Sequence, residues 1–293
     1  MRLLALALLA ASWAAPAQAA DVTLKPFVLA QRGPGDPAAA VAEARARVEA
    51  AGFKVVGSYE PYPGATVLAI TSEEQKAAAA KKPTGNYGAA LRVSVTKIGD
   101  EVQVAFTNPV YMAHAYRMDA DLAPVAARLA AALGKLEEYG SATGKTAKEL
   151  EKYHYMFGMQ YVDDPSDIAT FGSQEQALRS VEKGLATGRG GTRKVYRIDL
   201  PGGAAVFGVA LSDACSGDDH IMKEIDFMPV RSTGHLPYEV VVAGGEVRAL
   251  HARFRIAVNF TDLSMMGAHS FMNISCAPDA IEDSFKRMAG TKR

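Results

Sequence analysis

Apolar and polar residues alternate in several short segments, and this period of two is typical of half-buried β-strands. Residues 89–97 and 101–106 lie on either side of a Gly-Asp pair, which predicts an antiparallel hairpin. Two further hairpin patterns turn at Pro201-Gly202-Gly203 and at Gly244-Gly245. The predicted strands are residues 24–31, 53–59, 66–70, 89–97 and 101–106 in the first half, and residues 153–162, 193–200, 204–211, 236–243 and 246–258 in the second.

Apolar residues at spacings of three and four predict helices between these strands. Val41, Ala44 and Val48 share one face of such a segment, and Gly52 stands where a helix commonly ends. Ser173 is placed as the N-cap of another helix. The predicted helices are residues 38–51, 73–82, 122–133, 174–185 and 280–288, with a short helix or turn at 218–227.

One stretch of the chain occurs twice with small insertions. Residues 104–124 read VAFTNPVYMAHAYRMDADLAP, and residues 256–278 read IAVNFTDLSMMGAHSFMNISCAP. Each copy begins with a strand-like apolar run, at residues 104–106 and 256–258, and ends in Ala-Pro before a helix. Between these ends each copy carries a Met, an Ala-His pair and an aromatic residue two positions past the His. Since the order of predicted elements repeats as well, we predict two copies of one unit.

Three segments of the first unit carry a resemblance to a known family. They are the helix-Gly-Phe pattern of residues 41–53, the hairpin LRVSVTKIGDEVQVAF at 91–106, and NPVYMAHAY at 108–116. Together they make residues 22–134 similar to the bacterial family catalogued as domain of unknown function 302. The resemblance implies a β-α-β4-α sandwich, and the second unit resembles the same family more distantly. The family implies very little about function.

We therefore predict an α+β fold of two tandem β-α-β4-α-like sandwiches, with antiparallel-rich sheets and helices on one face. The expected parts are a signal peptide at residues 1–19, a first domain at 20–135, a polar linker at 136–152 and a second domain at 153–293. The two copies are expected to pack as a pseudo-dimer. The protein is thus expected to be a monomer with a pseudo-two-fold repeat or a small homo-oligomer.

The first residues have the pattern of a secretory signal peptide. Arg2 precedes an apolar run at residues 3–11, and Ala17-Gln18-Ala19 fits the small-x-small cleavage rule. The apolar run is too short to span a bilayer, and no later run is long enough. We therefore expect a periplasmic or secreted protein without a transmembrane segment.

Charge and composition narrow the range of partners. The chain has 32 basic and 32 acidic side chains, mixed along its length, so there is no basic field that would attract nucleic acid. Nearly half of the residues are apolar, which is enough to fill two cores without a structural metal. The expected partner is a small ligand or a periplasmic protein.

The histidines of the repeated stretch are the best candidates for a ligand or metal site. If residues 112–118 are extended, alternate side chains share one face, and a histidine then stands beside methionine and tyrosine. Imidazole and thioether groups suit copper and haem iron, although the same residue types also fill packed cores. The candidate ligand-binding residues are Met112, His114, Tyr116 and Met118 in the first copy and Met266, His269, Phe271 and Met272 in the second.

Two other patterns are assigned to loops. Residues 140–146, GSATGKT, are one residue short of a phosphate-binding loop and follow a helix-permissive segment instead of a strand. The acidic clusters Asp163-Asp164, Asp218-Asp219-His220 and Glu224/Asp226 could bind calcium, but none has EF-hand spacing. Solvated turns are their default interpretation, and general acid–base chemistry is the alternative.

The only two cysteines, Cys215 and Cys276, are predicted to form a disulfide. An exported protein meets an oxidising compartment, where such bonds persist. The alternative is an unpaired Cys276 thiolate, activated at a helix N-terminus as a redox or nucleophilic site.

From these observations we predict an exported, non-enzymatic protein that binds a small ligand or a protein partner. The alternatives are a periplasmic copper- or haem-binding protein with His and Met ligands, and an enzyme that uses a thiol or a His/Asp pair. The sequence itself requires no cofactor. We expect any site to lie beside His114 or His269, where the chain leaves a rigid sheet and apolar side chains would line a pocket.

Overall fold

The computed structural model describes residues 22–291, and within this range antiparallel β-sheets of six and five strands form the framework. The strands are β1 (Thr23–Leu24), β2 (Phe27–Pro34), β3 (Lys54–Tyr59), β4 (Ala65–Thr71), β5 (Leu91–Ile98), β6 (Glu101–Thr107), β7 (Glu137–Tyr139), β8 (Lys145–Thr146), β9 (Ser166–Thr170), β10 (Thr192–Asp199), β11 (Ala205–Leu211), β12 (Tyr238–Ala243) and β13 (Glu246–Ala249). The helices are α1 (Pro37–Ala50), α2 (Glu73–Ala79), α3 (Pro109–Ala115), α4 (Ala123–Leu133), α5 (Ala147–Glu151), α6 (Gln174–Ala186), α7 (Asp218–Ile225), α8 (Ala252–Asn259) and α9 (Ala277–Ala289). The predicted signal peptide lies outside the described residues.

The two sheets have matching topologies. The first has the strand order β3-β4-β5-β6-β2-β7, and the second has the order β10-β11-β12-β13-β9. Apart from the short elements β1, β7, β8 and α5, each half has the order strand, helix, two strands, helix, two strands and two helices. Strand β2 corresponds to β9, and strands β3 to β6 correspond to β10 to β13, in the same places in the two sheets. The predicted α+β class with antiparallel sheets is confirmed. Common descent of the two halves from one repeated unit stays a prediction.

Local sequence signals explain where several helices begin. The Asp36 carboxylate accepts a hydrogen bond of 2.8 Å from the Ala39 N–H, and Pro37 occupies the first turn of α1. The Asn108 side chain caps α3 in the same way, by accepting from the Val110 N–H at 3.1 Å. Both caps stand directly after a strand or turn, so the chain passes from sheet to helix at a defined residue.

A shared apolar core joins the two sheets. Tyr196, Val206 and Val241 of the second sheet are buried in the same cluster as the core of the first half, while Tyr59 and Val67 of the first sheet belong to the core of the second half. The backbones of β3 and β10 also approach closely. A Cβ atom at position 57 would lie only 2.2 Å from the carbonyl oxygen of Val195, so this contact requires the glycine that the chain has there.

A buried ion-pair cluster lies at the junction of the halves. Arg92 on β5 and Arg255 on α8 both pair with the Glu239 carboxylate on β12, and all three side chains are at most 1% exposed. Arg255 also donates to the carbonyl oxygen of His235 at 2.5 Å. Burial, with a smaller effect of the two guanidinium groups, keeps the pKa of His235 well below its ordinary value, so this imidazole stays neutral.

The predicted strand at residues 246–258 is only partly correct. Strand β13 ends at Ala249, and α8 begins three residues later, after His251 accepts a hydrogen bond from the Arg253 N–H at 3.2 Å. The apolar run at 256–258 is therefore one turn of a buried helix. A short, fully buried run has no polar face, so its periodicity does not separate helix from strand.

The strand predicted at residues 153–162 is wrong. This segment is irregular, and the strand that corresponds to β2 is β9, which follows it. The hydroxyls of Tyr153 and Tyr155 donate to the carbonyl oxygens of Ala257 at 2.9 Å and Leu263 at 3.2 Å. The aromatic residues are thus fixed by bonds to α8 and the loop that follows it, and their alternation does not reflect pairing in a sheet.

The segment predicted as a linker, residues 136–152, contains structure of its own. Strand β7 pairs with β2 at the edge of the first sheet, β8 pairs with β1, and α5 follows directly. Its polar composition reflects the solvent side of an edge strand and of a short helix. The boundary between the two units stays a prediction. Within residues 22–291 the helices all fall short of the length and apolar character needed to cross a membrane.

Candidate ligand-binding cleft

A cleft of about 450 Å³ opens where the two halves meet. Its walls are three segments: residues 137–142, which comprise β7 and the loop after it, residues 225–230 at the end of α7, and residues 262–264 after α8. The rest of the lining consists of Lys25, Ser232, Phe260, Ala268 and His269. This volume is within the usual range for small-molecule sites, which often lie between domains.

Hydrogen bonds hold the three walls in fixed positions. The Tyr139 ring lies 5.5 Å from that of Phe27, and its hydroxyl donates to the carbonyl oxygen of Arg231 at 2.7 Å. The Ala142 N–H donates to the Asp262 carboxylate at 2.6 Å. The first wall is therefore bonded to the third wall and to Arg231, the residue directly after the second wall, which gives the cleft a preformed shape.

Large apolar side chains are exposed inside the cleft. Phe227 is 45% exposed and Met228 is 57% exposed, and both lie in its lining. The Phe227 ring stacks on the His269 imidazole, with 4.5 Å between ring centres and 23° between planes. Exposed apolar groups gathered in a concave surface are typical of binding sites, because a ligand removes them from water.

The charged groups of the cleft are mostly acidic. The lining contains the carboxyl groups of Glu137, Glu138, Asp226 and Asp262, against one lysine, Lys25. Burial raises the pKa of Asp226 to about 7, although both of its oxygens accept from the Ser232 N–H, at 2.9 and 3.0 Å, which favours the ionised form.

His269 is the predicted site residue that lies at this cleft. Its backbone is left-handed, with a φ of 53°, and its Nδ1 is 3.0 Å from the carbonyl oxygen of Glu224. A carbonyl oxygen only accepts, so Nδ1 is the donor in this hydrogen bond. The imidazole is thus oriented by the backbone at the end of α7.

His114 lies elsewhere, so the structure does not bring the two histidines together. It is on α3, with Nδ1 3.0 Å from the Glu151 carboxylate. It lines a separate open groove of about 920 Å³, together with Lys81, Arg117 and Glu151. The side chains around this groove are mainly charged, and some pair with one another, as Lys82 does with Asp119 at 3.7 Å.

The extended conformation expected for residues 112–118 is wrong, because α3 occupies most of this segment. Met112, Tyr116 and Met118 are buried in the first core, and His114 on the same helix is half-exposed. A helix with a period of 3.6 places residues four apart on one face, so Met112 and Tyr116 point inward together while His114 faces another side.

The remaining candidates of the second copy are at the surface near the cleft. Met266 is 76% exposed and Met272 is 55% exposed. Phe271 is half-buried and lies with Met159 and Met265 around a small pocket of about 20 Å³, which has room for roughly one water molecule. A ligand role for these residues stays a prediction.

The cysteines are joined as predicted. Cys215 and Cys276 lie within bonding distance, with 6.1 Å between their Cα atoms, and the bond ties the loop before α7 to the start of α9. Both sulfurs are therefore occupied, so the alternative of an unpaired Cys276 thiolate does not describe this state.

Sequence reasoning singled out Asp226 only as part of an acidic loop cluster, and it missed Phe227, Met228 and the wall at residues 137–142. One signal was present. Phe227 and Met228 are two large apolar residues directly before Pro229, at the end of a predicted short helix. The wall at residues 137–142 carries no such signal, since it is polar and contains two glutamates and a serine.

Comparison of the chain with family models, with curated proteins and with solved structures finds no match. The resemblance to the domain of unknown function 302 family therefore stays a prediction, and function is argued from the cleft alone.

Proposed function

We propose that the protein binds a small molecule with an apolar body and a positively charged group in the cleft between its halves. The observation that carries this proposal is the exposure of Phe227 and Met228 inside a preformed cleft of about 450 Å³. A ligand seated there would cover apolar surface that otherwise stays in contact with water, which is the main source of binding free energy for such sites.

The charges of the lining favour a cationic group on the ligand. Glu138 is paired with Lys135 at 2.7 Å, and Asp226 is partly protonated near neutral pH because burial raises its pKa to about 7. Glu137 and Asp262 then stand against the single lysine of the lining, and this excess of negative charge lowers the electrostatic energy of a bound cation and raises that of an anion. The rings of Tyr139 and Phe227 add to this preference, because aromatic faces attract cations.

Binding is a better account of the cleft than catalysis. Its polar groups are engaged in holding the walls, as Tyr139 bonds to Arg231, Asp262 to Ala142 and Asp226 to Ser232. Groups that fix the shape of a cleft are not available to transfer protons without loosening it. The disulfide supports export, because such bonds persist in oxidising compartments.

The proposal is tested with thioflavin T, a cationic aromatic dye, by fluorescence titration. The unmodified protein is expected to bind the dye, and Ala142→Trp is expected to weaken binding roughly tenfold or more, since an indole ring at this wall fills the space. Ala127→Trp is the matched control. Ala127 is an exposed residue of α4 outside the lining, so affinity is expected to stay the same.

A negatively charged dye of similar size, anilinonaphthalene sulfonate, tests the charge preference. We expect it to bind more weakly than thioflavin T. Equal affinity for the two dyes would exclude the cationic preference, and unchanged thioflavin T binding in Ala142→Trp would exclude the cleft as the site.

A further inference from the structure

A second group of side chains lies around the N-terminal end of α7, whereas the cleft wall at residues 225–230 is at its C-terminal end. It consists of Cys215 in the loop before α7, His220 in the first turn of that helix, and Cys276 at the N-cap of α9. One ligand atom from each, the two sulfurs and an imidazole nitrogen, lie within 4.8 Å of one another. Their convergence brings together residues 61 positions apart in the chain.

One nitrogen atom of this imidazole lacks a hydrogen-bond partner. The Nε2 atom of His220 is buried and has no hydrogen bond. A buried polar atom without a partner costs roughly 1 to 3 kcal/mol, so native proteins rarely leave one unless it has another role. Here the ring stands beside two sulfur atoms, which are the preferred companions of histidine in zinc and copper sites.

We propose that the reduced protein binds one zinc ion through Cys215, His220 and Cys276. Two thiolates would neutralise the charge of Zn²⁺, and the imidazole would supply a third ligand. Three protein ligands leave the fourth tetrahedral position open to solvent. Cys276 is suited to the thiolate form, because it stands at the N-terminus of the thirteen-residue helix α9, where unpaired N–H groups favour negative charge.

The state of the disulfide decides whether the zinc ligands are available. Reduction adds two electrons and two protons to the sulfur–sulfur bond and gives two thiols. Zinc then displaces both thiol protons and binds the thiolates, while the neutral imidazole donates its lone pair. Oxidation of the two thiolates by a disulfide or quinone oxidant reforms the sulfur–sulfur bond and releases the ion.

The test uses the full chain, with Co²⁺ as a coloured substitute for zinc. A water-soluble phosphine reduces the disulfide and takes up oxygen from water to become the phosphine oxide. Titration of Co²⁺ without air is then expected to produce thiolate-to-cobalt charge-transfer absorption and the intense ligand-field bands of a tetrahedral site. Equimolar Zn²⁺ is expected to remove these bands, and the oxidised protein is expected to show none.

Single substitutions show which side chains bind the metal ion. Cys276→Ser is expected to lower the charge-transfer absorption by half or more, because only the Cys215 thiolate remains. His220→Ala is expected to weaken zinc binding by roughly tenfold or more, as losing a ligand costs at least as much as losing a supporting group. His154→Ala is the matched control. His154 is also half-buried, but it bonds to the Met156 carbonyl oxygen at 2.8 Å, and its removal is expected to leave affinity unchanged.

Far-ultraviolet circular dichroism shows whether the reduced protein is folded, so each result either supports or overturns the proposal. If the reduced protein stays folded and takes up no cobalt, the proposal is overturned. If the reduced protein unfolds, recovery of its spectrum on adding zinc supports the site, and failure to recover overturns it. An affinity for zinc in His220→Ala equal to that of the unmodified protein also overturns it. These results are independent of dye binding at the cleft.

Discussion

Asp218 shows how one buried carboxyl makes stability depend on pH. Its Oδ2 accepts from the Tyr59 hydroxyl at 3.1 Å and from the Leu211 N–H at 3.3 Å, whereas its Oδ1 is buried without a partner. Burial raises the pKa of this carboxyl to about 7, against the opposing effect of the two hydrogen bonds. An unfolded aspartate titrates near about 4, so the folded protein holds the proton more tightly.

The direction of the pH effect follows from this difference. Between about pH 4 and about pH 7 the folded state binds a proton that the unfolded state has lost, so stability falls as pH rises through this window and then levels off. Asp218→Asn is neutral and nearly the same shape. We expect it to be more stable than the unmodified protein near about pH 8, by up to roughly 4 kcal/mol, and close to it near about pH 4.

Urea unfolding at several pH values measures this prediction. Asp219→Asn is the control, since Asp219 is exposed on the same turn of α7. Its stability is expected to follow that of the unmodified protein at every pH. Parallel pH profiles for Asp218→Asn and the unmodified protein would show that the buried carboxyl does not titrate in this window.

The same two residues show where sequence reasoning ends. Asp218 and Asp219 are identical neighbours, and both were assigned to a solvated turn. Only the placement of α7 against β11 and Tyr59 decides that the first is buried and the second is not. That placement depends on a contact 159 positions distant in the chain, which no local pattern contains.

At the scale of elements, sequence patterns located the turns and the capped helices and failed where an apolar run was short. The hairpin at Gly244-Gly245 and the helix capped by Ser173 are where the patterns placed them. The strand predicted at residues 153–162 failed because its tyrosines are fixed by hydrogen bonds to distant carbonyl groups. The cleft could not be predicted, since its walls are an edge strand and loops that meet only after both sheets have packed.

The disulfide is the element-scale feature with the clearest effect on stability. It closes a segment of 61 residues and joins the starts of α7 and α9. In the chain-entropy model a loop of this length stabilises the folded state by about 4 kcal/mol. We expect the double variant Cys215→Ser, Cys276→Ser to lose stability of that order in urea unfolding, measured with a metal chelator present.

Reduction of the unmodified protein is the internal control for this loss. With chelator present, reductant is expected to bring the unmodified protein to the stability of the double variant and to leave the double variant unchanged. Equal unfolding midpoints for the oxidised protein and the double variant would mean that the bond adds nothing to the folded state.

At the scale of the whole molecule, the junction of the halves should make the protein unfold as one unit. The two sheets share a core, and Glu239 of one half is paired with Arg92 of the other inside it. Arg255 pairs with the same carboxylate. Neither sheet can leave the other without exposing apolar surface and separating this cluster, so we expect one cooperative unfolding transition in the unmodified protein.

Glu239→Gln tests the contribution of the cluster to this cooperativity. The amide keeps the shape of the side chain but removes its charge, which leaves two guanidinium groups buried without a counter-ion. Removing one partner of a buried ion pair typically costs about 3 to 5 kcal/mol, and we expect a loss of that size in urea unfolding followed by circular dichroism.

Glu246→Gln is the matched control on the neighbouring strand β13, where an exposed pair with Arg248 at 3.2 Å contributes at most about 1 kcal/mol. Similar small losses in both variants would show that carbonyl groups alone stabilise the buried arginines. Two separate transitions in the unmodified protein would show that the halves fold independently, and the cleft between them would then have no fixed shape before a ligand binds.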